Sequence, residues 1–249
     1  MKKHVRKAGQ KLWIIYIVLG LLFLCRFEPV IKAVEILQPA AAGLTETVQA
    51  VAQDMIGITY SENDAAKKIA LTFDDGPHPI YTPELLDGLR ERGVVCTFFV
   101  TGENATLYPE LIEQMKEDGH LVGNHTYHHV QLTTLGEEVF LQELQETNRV
   151  LEGILEEEIV FVRPPYGDWT KSVEKEIDML PVLWDIDPLD WCTGNASKVV
   201  KKVLENAEDQ SIILMHDYYA TSVEAALKIV DELLEDGYEF VTVDEILVE

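Results

Sequence analysis

At 249 residues and 47% hydrophobic content, the chain is long enough for one sizeable buried core plus additional segments. It carries 44 acidic against 20 basic residues, a formal net charge of −24, which excludes nucleic acid as a partner because phosphate backbones require clustered positive charge. Its three cysteines form no disulfide framework: Cys25 sits in an apolar run, and Cys96 and Cys192 are expected as small buried hydrophobes.

The N-terminus opens with Lys2, Lys3, Arg6, Lys7 and Lys11, followed by an apolar run over residues 12–25. No small-residue cleavage signal follows closely. Residues 1–26 therefore read as an uncleaved signal anchor, with a cleaved signal peptide as the alternative and the bulk of the chain outside the cytoplasm. This segment gives the chain its expected membrane contact. Beyond residue 25, 15 basic face 44 acidic residues, a net −29, which makes a strongly solvated surface with little attraction for anionic lipid. Residues 27–65 read as a stalk, where Leu44, Val48, Val51 and Met55 fall at helical spacing.

Residues 66–249 form the main domain. Apolar runs at 69–73, 94–100, 121–123, 159–162, 182–186, 212–215 and 240–243 predict strands. Amphipathic segments at 83–92, 109–118, 137–157 and 223–235 predict helices between them. This alternation implies α/β architecture: a distorted (β/α)7 barrel of parallel strands, with an open doubly wound sheet giving the same pattern. The titratable residues Asp74, Asp75, His125, Arg163, Asp187 and His216 all fall just after apolar runs. In a barrel those positions gather on one face, so the active site is expected at the C-terminal strand ends.

Two stretches carry the most chemistry. Thr72-Phe73-Asp74-Asp75-Gly76-Pro77 places adjacent carboxylates at a strand end, and His125-Thr126-Tyr127-His128-His129 places imidazoles four residues apart. One carboxylate and two imidazoles make a metal site with open positions, and the second Asp is then free to act as a base. The i, i+4 spacing suggests that His125 and His129 share one face of a helical turn, with His128 as the rival ligand. His4, His78 and His120 read as structural.

These stretches resemble the first two signature motifs of the NodB-homology polysaccharide deacetylases, carbohydrate esterase family four. Arg163-Pro164-Pro165-Tyr166, Asp187-Pro188-Leu189-Asp190-Trp191 and Leu214-Met215-His216 resemble the other three, in order. The resemblance implies that Asp75, His125 and His129 hold a divalent metal, zinc foremost, with cobalt, nickel and manganese as alternatives. It makes Asp74 the general base and His216 the general acid. Arg163 orients Asp74, Asp190 raises the pKa of His216 (Asp187 being the second candidate), the backbone N–H of Tyr166 supports the oxyanion, and Trp191 and Leu214 wall the acetyl pocket. The implied substrate is a polysaccharide, peptidoglycan N-acetylglucosamine first. Chitin oligomers, other exported glycans and O-acetylated xylan are the alternatives. A mononuclear iron oxygenase shares the ligand triad but has less use for the extra acid and base. A non-catalytic glycan-binding relative would lack a ligand or the base, and none is missing here. Nothing in the sequence fixes the oligomeric state.

Overall fold

The computed structural model describes residues 66–131, 134–169 and 177–247. All of them fall in one compact unit, Ala65–Glu249. The expected anchor, the stalk and His4 lie outside the described residues. Among the described residues, no helix is long and apolar enough to cross a membrane.

Seven strands form one parallel sheet: β1 (Lys67–Asp74), β2 (Thr97–Val100), β3 (Leu121–Asn124), β4 (Phe161–Val162), β5 (Leu180–Pro181), β6 (Ser211–His216) and β7 (Tyr238–Phe240). Their order is β5-β4-β3-β2-β1-β6, with β7 paired to the start of β1. The chain after β5 runs on to bridge Ile186 to Ile213 of β6, so this segment links β4 on one side to β6 on the other. That curl distinguishes the fold from an open doubly wound sheet, whose edges stay apart. It agrees with the expected distorted barrel.

The helices are α1 (Tyr81–Arg92), α2 (Gly102–Leu107), α3 (Pro109–Glu117), α4 (Glu137–Leu155), α5 (Asp190–Thr193), α6 (Ala196–Leu204), α7 (Ala220–Glu235) and α8 (Val243–Leu247). Local chemistry sets several of their ends. Thr101 and Asn195 cap α2 and α6 by accepting from the N–H groups of Asn104 and Lys198. Gly93 ends α1 in the left-handed conformation that glycine adopts without penalty.

β1 is buried without interruption from Ile69 to Asp74, as expected of a strand covered on both faces. Its alternation divides the interior. Ile69, Leu71 and Phe73 pack with Leu85, Leu86 and Leu89 of α1 and with Ile229, Val230 and Leu233 of α7. Ala70 faces the other way, into a smaller cluster with Phe99, Phe161, Val182, Ile212 and Val243. By the period of two, Thr72 and Asp74 share that inner face with Ala70.

Two strands fall beside their expected positions. Residues 182–186 were expected as the fifth strand, but pairing with β4 occurs at Leu180–Pro181, and the apolar run passes a bend at Asp185 to its single bridge at Ile186. The last strand ends at Phe240 because Val243 already begins α8.

Candidate active site

The register of the sheet sets the centre. Asp74 pairs across from His216, and Thr72 from Leu214, so all four stand at adjoining positions on two neighbouring strands. Asp74 is buried, and its Oδ1 accepts from Arg163 Nη1 at 2.8 Å. Arg163 itself has no exposed surface. Its Nη1 also donates to Thr72 Oγ1 (2.6 Å), its Nε to Val182 O (3.1 Å) and its Nη2 to Leu183 O (3.2 Å). The guanidinium lies 4.3 Å from the Phe99 ring centroid, a cation–π distance. Burial lowers the Arg163 pKa and the Asp74 carboxylate opposes that shift. Four hydrogen bonds, one of them to a carboxylate, and a ring face surround this fork, which is how a buried charge is compensated.

Asp75, the residue after Asp74, adopts φ 75° and turns away from the strand; Asn104 Nδ2 donates to its carbonyl at 2.8 Å. Gly76 follows, where a Cβ would overlap the fully buried Asp217 carboxylate. That close approach demands glycine.

The two histidines reach Asp75 from a loop, not from the helical turn that their spacing suggested. Thr126 (φ 64°) and His129 (φ 54°) both take left-handed backbone conformations, so no helix forms between them. Side chains and α2 hold the loop in place. Asn124 Oδ1 accepts from Thr126 N–H and Thr126 Oγ1 from Val130 N–H. Glu143 Oε2 accepts from the N–H of Tyr127 (3.0 Å) and His128 (2.8 Å), while Gly102 N–H and Glu103 N–H reach the carbonyls of Thr126 and Tyr127. His128 turns to Glu143 Oε1 at 2.9 Å, away from the other imidazoles.

Asp75, His125 and His129 each offer an atom to a cluster whose members lie within 4.8 Å of one another. Asp75 Oδ1 stands 3.4 Å from His125 Nε2 and 3.2 Å from His129 Nε2, yet it is buried without a hydrogen bond. His125 Nδ1 lies 2.6 Å from the Arg163 carbonyl, which only accepts. Nδ1 therefore carries the proton and Nε2 turns its lone pair inward. Burial and the neighbouring His125 lower the His129 pKa, which favours a neutral ring. Burial raises the Asp75 pKa, but the positive charge that His125, His129 and His216 carry when protonated outweighs it, so the carboxyl lies below its ordinary range. A buried, ionised oxygen without a donor, facing an imidazole lone pair, fits a cation.

On the other side, His216 Nδ1 donates to Asp190 Oδ1 at 2.9 Å, and His216 N–H to Oδ2 at 2.9 Å. Burial lowers the His216 pKa, but the hydrogen bond and charge of Asp190, with Asp74 and Asp75 adding, lift it to about 9. Replacing Asp190 with asparagine is expected to return it towards 6.5, with NMR titration of the His216 ring as the check; a value still near 9 would clear Asp190 of the effect. Asp187 instead accepts from Leu189 N–H within its own turn.

Tyr166 lies in a 3-10 turn, Pro165–Gly167, after β4, at φ 63°, meeting His129 edge-on with ring centroids 4.9 Å apart and 66% of its surface exposed. Trp191 on α5 is 52% exposed and Leu214 is buried. The structure thus brings Asp74, Asp75, His125, His129, Arg163, Asp190 and His216 into one network. Cys96 is buried as expected, but Cys192 is exposed because α5 presents it outward. His120 is buried and accepts from Cys96 N–H, consistent with a structural role.

Sequence reasoning passed over Thr72, Glu143 and Asp217. Thr72 was legible from the alternation that places it beside Asp74. Glu143 reads as an ordinary helix charge, and no sequence signal separates it from its neighbours.

A profile of the polysaccharide deacetylase family matches residues 61–182. The Bacillus subtilis peptidoglycan-N-acetylmuramic acid deacetylase PdaC is 40% identical over 180 residues, 72% of this chain and 38% of that protein. A peptidoglycan-N-acetylglucosamine deacetylase of Bacillus cereus is 36% identical over 198 residues, 76% of this chain and 92% of that protein. The solved structure of Bacillus subtilis PdaC superimposes with a TM-score of 0.71 at 40% identity, covering 73% of this chain and 90% of that one. The chain belongs to the polysaccharide deacetylase family. It spans about two fifths of the length of the first curated relatives it matches. The family is metal-dependent, and Asp75, His125 and His129 form a possible site for the ion.

Proposed function

We propose that the chain hydrolyses N-acetyl groups from a cell-wall polysaccharide, with N-acetylglucosamine of peptidoglycan as the first substrate. The carrying observation is the pairing of two oppositely equipped groups at adjoining strand ends: a carboxylate backed by Arg163 and an imidazole backed by Asp190. Proton removal and proton delivery then sit on either side of one reacting carbon. Both peptidoglycan relatives described above support the substrate class. Acetylated xylan and other exported glycans are the alternatives, and no feature of the site favours them.

Asp75, His125 and His129 would hold a divalent ion, zinc foremost, with cobalt, nickel and manganese able to use the same donors. When bound, the ion polarises the acetamide carbonyl and makes a water more acidic, towards a pKa of about 7. Asp74, held by Arg163, takes the proton from the attacking water. The oxygen adds to the carbonyl carbon, and the Tyr166 N–H supports the negative charge that develops. The C–N bond then breaks as His216 gives its Nε2 proton to the departing amine, leaving acetate and a free amino sugar. Trp191 and Leu214 flank the acetyl methyl. The N-terminal segment, basic and then apolar, supports membrane attachment with the domain facing the wall.

Acetate release from peptidoglycan after chelation and zinc restoration tests this reading. Release should fall at least about 100-fold on metal removal and return with zinc, and the melting temperature should fall and recover with it. Release that persists in full without metal would overturn it. His216 acts when protonated, so kcat should fall as pH rises through about 9. In Asp190→Asn that descending limb should move towards lower pH, and an unmoved limb would remove His216 from the acid role.

A further inference from the structure

The loops after β1 and β6 carry a group of rings that the proposed chemistry does not use. His78 stacks on Tyr81 with centroids 4.5 Å apart and meets Tyr218 edge-on at 4.8 Å. Tyr218 in turn meets Tyr219 edge-on at 6.1 Å. The two tyrosines are 39% and 42% exposed, and they stand two and three residues beyond His216. His78 stands three residues beyond Asp75.

Buried polar groups hold this array from below. The N–H of His78 donates to Thr82 Oγ1 at 2.7 Å, and the Thr82 hydroxyl donates to Asp217 Oδ2. Asp217 has no exposed surface and directly precedes Tyr218. One hydrogen-bond chain therefore ties the loop after β1 to the loop after β6. His78 Nδ1 accepts from the N–H groups of Ile80 (3.2 Å) and Tyr81 (3.3 Å), so the neutral ring carries its proton on Nε2. Burial lowers the His78 pKa, which keeps that neutral form at pH 7.

Rigid aromatic faces beside an N–H and two phenol hydroxyls complement a pyranose, which offers an apolar C–H face and a rim of hydroxyls. Fixing the rings beforehand removes much of the ordering cost of binding. We propose that His78, Tyr218 and Tyr219 form a saccharide subsite that holds a sugar of the glycan chain adjoining the one being deacetylated. This rests on the deacetylase reading above. Tyr166 follows β4, which β3 and β2 separate from β1 in the sheet. Asp75 and His125, at the ends of β1 and β3, lie between the two aromatic groups in strand order. The aromatic group and the reacting residues thus share the loops that leave β1 and β6, where a neighbouring sugar of a bound chain would meet these rings.

The test uses the full chain with Asp74→Asn to prevent turnover, titrated calorimetrically with N-acetylglucosamine oligomers of two, four and six sugars. Acetate release by the unaltered chain is measured on the same oligomers. Affinity should rise about tenfold from two to six sugars. Adding Tyr218→Ala and Tyr219→Ala should abolish that rise, whereas Tyr218→Phe and Tyr219→Phe should keep it because the rings remain. Acetate release by the unaltered chain together with an undiminished rise in the alanine pair would overturn the subsite alone. No acetate from any oligomer or from peptidoglycan would overturn the deacetylase reading and the subsite with it.

Discussion

Replacing Asp74 with asparagine should lower kcat for acetate release by about 1,000-fold, within the range by which a positioned general base accelerates proton transfer. Asparagine keeps the side-chain shape and an acceptor oxygen for Arg163 Nη1, so substrate binding should change little and the loss should appear in kcat. The variant should also be less stable, because it leaves a guanidinium with no exposed surface facing no counter-charge. Removing one partner of a buried pair costs roughly 3–5 kcal/mol. Steady-state kinetics and urea denaturation on one preparation check both parts. Activity within tenfold of the parent would move the base to another residue.

The second large effect is read in stability. Arg163→Met should destabilise the domain by about 3–5 kcal/mol, read as a shift in the urea midpoint at unchanged slope. The substitution leaves the Asp74 carboxylate buried without its cation and takes donors from Val182 O and Leu183 O. Lysine should not rescue it, since a single ammonium cannot reproduce a planar fork with three donating directions. A loss under about 1 kcal/mol would show that the pair contributes little beyond orientation.

Some of this was legible in the sequence and some was not, for physical reasons. β1 and β6 are long and apolar, so their ends, and with them Asp74, Asp75 and His216, could be placed by pattern. β4 and β5 span two residues each and β5 contains Pro181, so pairing there leaves almost no periodic trace. The left-handed backbones at Thr126 and His129 have no glycine to announce them. Spacing alone therefore suggested a helical turn where the chain makes a pinned loop. Asp187 and Asp190 are equivalent carboxylates in sequence; α5 decides between them by setting Asp190 against β6. Cys192 read as buried because cysteines usually are, and the same short helix turns it outward. Helix α6 escaped notice although Asn195 offered a cap signal at its start.

The partners of the two key imidazoles differ in kind. His216 leans on a side chain, Asp190, whereas His125 leans on the main-chain carbonyl of Arg163. A single codon change can delete the first partner, but no codon change deletes a carbonyl. Descendants of this gene can therefore adapt the donor to a more acidic or alkaline habitat by changes at position 190. The imidazole that faces Asp75 stays out of reach of such drift.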